Sequence, residues 1–527
     1  MINENRSKTG GSSAKYKLAT SEKLGRYLVA AKDVAAGEVI LREEPVAVGP
    51  MNSGRDYFCF DCLRVLPEVK QGAQYVCRKC NIAPLCGSAC EEQSNCHTSD
   101  ECEMFRNCEN FKTKDVMEVT DVLLPLRLWF LKRRKPDTWK RIISMENHAD
   151  KRRNTAIWNN CEINVVNVIR DLCLIPEGET FSPEFLQQLC GILDVNTFEV
   201  RSPGGLDCLL LRGLYVEASF MAHDCRGNTH LTVDDNFQLT VYAALPIKEN
   251  EPILFNYTSS LLGTSDRREH LRGGKYFECD CSMCKDPYEL GAHLSTILCP
   301  RCRTGFVGVQ DPLTNNVYSK VCRWQCNMCR RTYGGRLINA TLNISKVLID
   351  DVDDSDIKGM ESLIKKLSRS LHPNHYLLLS LKQKLLAAYR REVTSLNPAR
   401  KTFQKMLDMC NEVYKLLEII EPGISRLKGI MLYEMHLPQV LLANRIYGAR
   451  EISEAELASR LAEAAGLLKK SLTMLLLEPV NTPEGKLAKR ALQELKALNQ
   501  NIADVKAMAT SAPENSRPHH KKRAHKN

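Results

Sequence analysis

Residues Phe277–Cys284 read FECDCSMC, a Cys-x-Cys-x2-Cys run in which Cys279, Cys281 and Cys284 offer three thiolates. A structural zinc takes four ligands in a tetrahedron, so the run is one ligand short. The missing donor must come from another part of the chain, and whichever segment supplies it is fixed against this one. The identity of that segment decides how the chain is assembled.

The 527 residues are 43% hydrophobic and 26% charged, the composition of an ordinary folded protein. That length exceeds one hydrophobic core, and about two to four structural units are expected. The N-terminal stretch MINENRSKTGGSSAKYK is polar, without the apolar core of a signal peptide. No uncharged apolar run nears the roughly 18 residues of a membrane span. The expected setting is therefore intracellular, cytoplasmic or nuclear, with no membrane partner, where cysteines serve as thiols or metal ligands rather than disulfides. Of the 23 cysteines, nine lie between Cys59 and Cys108 and eight between Cys279 and Cys329, a bunching that core cysteines do not show. The net charge of +10 is partly gathered in the tail SRPHHKKRAHKN. That tail reads as solvated and disordered, with nucleic acid or an import receptor as partners its charge would suit.

Short apolar runs broken at Gly37 and Pro45 in YLVAAKDVAAGEVILREEPVAV, residues 27–48, suit strands joined by a turn. Helical spacing recurs from about 115 to 192, and residues 195–260 return to short β-rich pieces such as QLTVYAAL and EPILFNY. Beyond about residue 345 the pattern is helical throughout. There Thr482 precedes Pro483 as a cap, and Ser453 and Glu456 stand in capping-box spacing. At least five successive helices suggest antiparallel hairpins of the tetratricopeptide kind, with a generic helical bundle as the alternative, since no clean repeat is visible.

Two further cysteine groups have metal-ligand spacing. Cys59-x2-Cys62, Cys77-x2-Cys80, Cys86-x3-Cys90, His97 and Cys102 supply eight donors, enough for two tetrahedral zincs in a region too short to bury much apolar surface. Cys299-x2-Cys302 and Cys326-x2-Cys329 are two knuckles of a zinc ribbon. Cys322 stands nearby as a bystander or substitute ligand.

The order of the first group resembles the MYND finger. The resemblance implies that Cys59, Cys62, Cys86 and Cys90 hold one metal, and Cys77, Cys80, His97 and Cys102 the other, with Cys96 as an alternative to His97. The flanking segments GRYLVAAKDVAAGEVIL and ASFMAHDC make the whole resemble the SET and MYND domain (SMYD) family, and the ribbon is similar to arthropod-type members. The implied fold is α+β and multidomain: a split β-rich SET domain with an inserted MYND zinc finger and a helical insertion, a post-SET zinc site, and a C-terminal α-helical, TPR-like domain. The expected divisions are 1–18 disordered, 19–58 the first SET part, 59–102 the finger, 103–194 the helical insertion, and 195–260 the SET core. Beyond these come 261–290 the post-SET site, 291–340 the ribbon, 345–510 the helical domain and 511–527 the basic tail.

The same resemblance implies S-adenosylmethionine-dependent protein-lysine methylation with three zinc ions, and the spacing of the ribbon cysteines adds a fourth. LGRYLVA resembles the first cofactor loop through Leu24, Gly25 and Arg26, and VNTFEV presents Asn196. GLYVEASFMAHDC resembles the family's Asn-His-Ser-Cys block with Ala222, His223 and Cys225, and NEPILFNY places the active-site tyrosine at Tyr257. Phe277 is the aromatic beside the cofactor, and Tyr276 is a further candidate channel wall. In the family Cys225 is the fourth ligand of Cys279, Cys281 and Cys284; Cys299 is the alternative, but it has Cys302 as a neighbour.

The sequence departs from the pattern at Tyr27 for glycine, Ala222 for asparagine, Asp224 for serine and Gly227 for proline. Losing the asparagine side chain removes hydrogen bonds worth roughly 1–3 kcal/mol of cofactor affinity. Two functions follow. One is an active lysine methyltransferase, with its peptide specificity set in the cleft between the SET unit and the helical domain. The other is a weak or inactive SET-MYND adaptor or transcriptional regulator whose finger binds proline-rich peptides. The helical domain is the expected contact for a chaperone or another protein.

Overall fold

The computed structural model of the chain describes residues 14–51, 57–67, 75–108, 116–172, 174, 182–204, 209–395 and 398–511. The basic tail from residue 512 and the first 13 residues lie outside these. The strands of the first unit are β1 (Tyr16–Ser21), β2 (Gly25–Ala30), β3 (Val39–Glu43), β4 (Ala47–Pro50), β5 (Thr197–Arg201), β6 (Leu210–Leu214), β7 (Ala222–His223), β8 (Thr229–Val233), β9 (Leu239–Ala243) and β10 (Leu254–Phe255). They form small sheets: the β1-β2 hairpin, β3-β9-β8, β4-β6-β5 and the pair β7-β10. Strand β1 starts at Tyr16, inside the stretch expected to be disordered. Its backbone is paired residue for residue with β2, from Tyr16 opposite Ala30 to Ser21 opposite Gly25, and that ladder orders a segment whose side chains carry little apolar signal.

The β7-β10 pair is parallel and brings two distant segments together. Residues 222–229 wrap around the strand they meet: Asp224 N donates to Phe255 O at 3.2 Å and Asn228 N to Leu254 O at 3.1 Å. Thr229 Oγ1 adds a bond to Leu254 O at 2.7 Å. Gly227 lies at the closest approach, where a Cβ would stand 2.9 Å from Leu254 O and 3.0 Å from Asn256 N. The close backbone contact explains why a glycine occupies this corner.

The finger and the helical insertion share one core with these sheets, in which Phe60, Phe105, Leu124, Leu193 and Leu214 are all buried. The helix Leu123–Arg134 carries Arg127 into that core. Arg127 donates to Glu101 at 2.7 and 3.1 Å, to Val48 O at 2.9 Å and to Phe60 O at 2.7 Å. One buried guanidinium thus fastens finger, insertion and strand β4.

After the helix Thr264–Lys275 come the ribbon strands β11 (Ile297–Leu298), β12 (Phe306–Val309), β13 (Arg323–Cys326) and β14 (Thr332–Gly334), an antiparallel meander. Among the described residues seven helices follow, from Gly335–Asp350 to Pro483–Ser511, successive ones packing on one another. Ser453 Oγ accepts from Glu456 N at 3.3 Å and Thr482 Oγ1 from Gly485 N at 3.1 Å, so both read caps form. Glu456 does not complete a capping box; it accepts from Arg460 instead.

Two joints position the helical domain on the β unit. Glu478, buried, accepts from Arg426 and meets His230 Nε2 at 2.9 Å, 248 residues away in sequence. The helix Arg400–Ile420 packs Leu416, Leu417 and Ile420 against Cys225, Cys279 and Cys284 in a separate core. Among the described residues no helix is long and apolar enough to cross a membrane.

Candidate active site and metal centres

Among the described residues four groups of Cys and His donors are gathered, and within each the ligand atoms lie within 4.8 Å of one another. The open question of the FECDCSMC run is answered by the β7 corner. Cys225 Sγ stands 3.5 Å from Cys284 Sγ and 3.9 Å from Cys279 Sγ, with Cys281 completing the quartet. Four thiolates on a divalent zinc carry a net charge of −2, and the wholly buried Arg267 lies 4.0 Å from Cys284 Sγ to offset it. Cys299 is taken by the ribbon, 3.7 Å from Cys329, while Cys302 is 3.7 Å from Cys326. Cys322 lies outside that quartet, its carbonyl accepting from Gly335 N.

In the finger, Cys59, Cys62, Cys86 and Cys90 form one quartet, and Cys77, Cys80, His97 and Cys102 the other. His97 turns Nε2 toward Cys80 Sγ at 3.7 Å while Nδ1 meets Glu101 at 3.0 Å. That leaves Nε2 as the metal donor, held in orientation by a buried carboxylate. The Cys96 thiol is outside both quartets; its backbone N–H donates to Asp61 Oδ1 at 2.9 Å. These donor sets fit tetrahedral zinc. Replacing Glu101 by glutamine should weaken zinc at this quartet by about ten- to a hundredfold, read as faster release to a chromogenic chelator, with the ribbon zinc unaffected.

Around the β7 corner the aromatic residues converge. Tyr257 lies 5.2 Å from the His223 ring, 6.1 Å from Phe255 and 6.5 Å edge-on from Phe277, and Phe277 is 5.7 Å from His223. Tyr257 N donates to His223 Nδ1 at 3.0 Å. An accepting Nδ1 puts the ring proton on Nε2, which faces Cys225 Sγ at 3.5 Å. Burial pulls the imidazole down to about 4, keeping it neutral. The Tyr257 hydroxyl donates to Met221 O, and desolvation holds the phenol well above its ordinary range. It is a fixed donor, not a base.

The tip of the β1-β2 hairpin closes another side. Gly25 has φ +64°, and no atom lies within 4 Å of where its Cβ would be, so the residue is glycine for its backbone and leaves open space for a ligand. Gly25→Ala should cost about 1 kcal/mol through the left-handed backbone, measurable by urea denaturation. Leu24 is exposed, Arg26 donates to Ser144 O at 2.6 Å, and Lys23 pairs with Asp280 at 2.6 Å, tying the tip to the CxCxxC run. Tyr27, where the family has glycine, sits in regular strand opposite Ala19. Its backbone needs no glycine there. Asn196 ends the helix Pro183–Asn196 and spends both amide hydrogens on Glu146 O and Ile192 O, each at 2.8 Å. Its Oδ1 is the atom it can offer a ligand. Ala222 is buried beside Leu254 and presents only a methyl group.

Tyr276 is not a wall of this channel. It is left-handed at φ 60° and packs on His148 at 5.4 Å, outside the rings gathered around Tyr257. Lys275 stands there instead, its Nζ 5.8 Å from the Tyr257 ring centroid. The aromatic motifs do not point to this lysine; its sequence signal is its position in the helix's last turn. Tyr257 and Lys275 open into a cavity of about 620 Å³ between strand β5 and residues 420–427 and 478–484 of the helical domain.

The SET domain family matches residues 25–258. The chain is 25% identical over 320 residues to "SET domain-containing protein SmydA-8, isoform A" of Drosophila melanogaster, covering 60% of this chain and 65% of that one. It is 22% identical to "Histone-lysine N-methyltransferase Smyd1" of Mus musculus, over 53% of this chain and 57% of that one. The chain thus matches less than two thirds of the length of each of these relatives. A solved structure, "Crystal structure of the SET domain of LSMT bound to Lysine and AdoHcy", aligns over 96% of this chain and 93% of that one at 12% identity with a TM-score of 0.27, too low to carry weight.

Proposed function

We propose that the chain is a SET and MYND domain protein and a protein-lysine N-methyltransferase using S-adenosylmethionine, a reading supported by the SET domain match over residues 25–258 and by the similarity to SmydA-8 and Smyd1. The observation that carries this reading is the joining of Cys225 to Cys279, Cys281 and Cys284, which makes one rigid wall of the β7 corner and Phe277 with Tyr257 between them. The cofactor supplies an electrophilic methyl group on a sulfonium. The family resemblance assigns its contacts to Gly25, Arg26, Asn196, His223 and Phe277, and no atom lies within 4 Å of where a Cβ on Gly25 would stand.

A free lysine has a pKa near 10.4 and is mostly charged at neutral pH. An apolar channel disfavours that charge and fixes the line of approach, which supplies rate by alignment. Here Tyr257, Phe255, Phe198 and Phe277 provide the apolar surface, and the Tyr257 hydroxyl fixes the Met221 carbonyl at its inner end. The substrate's proton leaves to water through the cleft.

The cleft between the β unit and the helical domain supports a peptide as the lysine donor. The test is transfer of labelled methyl groups to a histone-tail peptide array and to a non-histone lysate. No binding of S-adenosylmethionine and no transfer to either would favour the adaptor reading, which Ala222 supports because it lacks a polar side chain at the cofactor wall. On the finger, Tyr57 and Val76 are exposed, apolar surface suited to a proline-rich peptide; calorimetry with such peptides and the Val76→Glu variant tests it. The exposed helical array is the surface for a chaperone or other protein. The setting is cytoplasmic, nuclear or both; the basic tail suits nuclear entry, and deleting residues 512–527 from a fluorescent fusion tests it.

A further inference from the structure

Lys275 ends the helix Thr264–Lys275 with its side chain on the cavity wall. Its Nζ donates to Val195 O at 2.6 Å and reaches Asp194 O at 3.4 Å. The Tyr257 ring face, 5.8 Å away, is within the range at which an aromatic face attracts a cation. The nearby carboxylate of Asp194 is already engaged, by Arg152 at 2.5 Å and Arg212 at 3.0 Å. The amine is therefore held by main-chain carbonyls and a ring face rather than by a directly paired acid. A cradle of that kind would take any primary amine.

We propose that Lys275 is a tethered lysine that fills the amine position of the channel, so that a substrate lysine enters only when Lys275 swings out. The proposal rests on the methyltransferase reading for its consequence and on the cradle for its geometry. Burial draws the Lys275 amine down to about 8, as it would a substrate amine held in the same place. The segment is built to move. Gly273 and Gly274 precede Lys275, and no atom lies within 4 Å of where a Cβ would stand on either. Packing does not demand glycine there, and each weakens the last helical turn by about 1 kcal/mol relative to alanine. Swinging out at that turn leaves Cys279, Cys281 and Cys284 in place, because the left-handed Tyr276 separates the helix from the zinc run.

A lysine that merely fastened the end of the helix Pro183–Asn196 to the post-SET segment would behave oppositely when removed, and the two are separable without any methyl donor. Fluorescent histone-tail peptides, each with one lysine, are titrated by anisotropy into the wild type, Lys275→Ala and Lys275→Arg. If the channel is open in about a tenth of molecules or fewer, removing the plug tightens binding of at least one peptide by about tenfold or more. Lys275→Arg, which keeps a long cation, should stay at the wild-type value. No gain with any peptide, a loss with Lys275→Ala, or an equal gain with Lys275→Arg overturns the proposal. Zinc content checks that the variants fold, and Lys275→Ser replaces alanine should that variant fail. Titration with S-adenosylmethionine reports on the methyltransferase reading separately: no heat in any variant sinks that reading, while the peptide arm still judges the plug.

Discussion

Replacing Cys225 by serine should take the zinc content from four equivalents to three and reduce methyl transfer by more than about a hundredfold. The four gathered quartets set the starting count. Serine is a poor zinc ligand, and a structural zinc contributes an apparent 10–16 kcal/mol that the apo segment cannot replace. Cys225 and Cys284 are also buried against Leu271, Leu416 and Leu417, so losing the ion loosens the joint with the helical domain as well. The reacting groups then shift relative to one another, and a misplacement of about 1 Å alone costs on the order of a hundredfold. Cys322→Ser, outside every quartet, is the control: four zinc equivalents and unchanged transfer. Atomic absorption and a radiolabel assay read both variants.

Tyr257→Phe tests the channel while leaving the metal alone. The ring stays against His223 and Phe277, but the bond from the hydroxyl to Met221 O is lost. An unmade bond at a buried carbonyl costs about 1–3 kcal/mol. Loss of a fixed donor at a reacting centre lowers kcat by about a hundredfold or more. Four zinc equivalents and a cofactor affinity within about threefold of wild type are expected, since the ring contacts survive. A variant that loses zinc, or that keeps full kcat, would show that Tyr257 serves packing alone.

The metal ligands were legible because zinc spacing is a local property: a CxxC pair must point both sulfurs the same way wherever it folds. The choice of Cys225 over Cys299 comes from family resemblance and from the Cys302 neighbour of Cys299, and the structure supplies its cause, the chain at Gly227 pressed against Leu254 and Asn256. His97 rather than Cys96 also needed the fold, since Glu101 orients the ring from one helical turn away. Other features have no local signature. Strand β1 is ordered by its partner, not by its own residues. The left-handed turn at Tyr276 sends that ring to His148 and leaves Lys275 beside Tyr257. The cleft exists because Glu478 reaches His230 across 248 positions, a pairing that no periodicity announces.

A zinc-tied corner that serves methyl transfer must hold a nucleoside methyl donor. Calorimetric titration of zinc-loaded protein with S-adenosylmethionine should give a saturable isotherm with one site per chain, lost in Cys225→Ser and kept in Tyr257→Phe. An absence of heat up to about 1 mM ligand, the upper end of ordinary enzyme working concentrations, from protein carrying all four zinc ions, would contradict it.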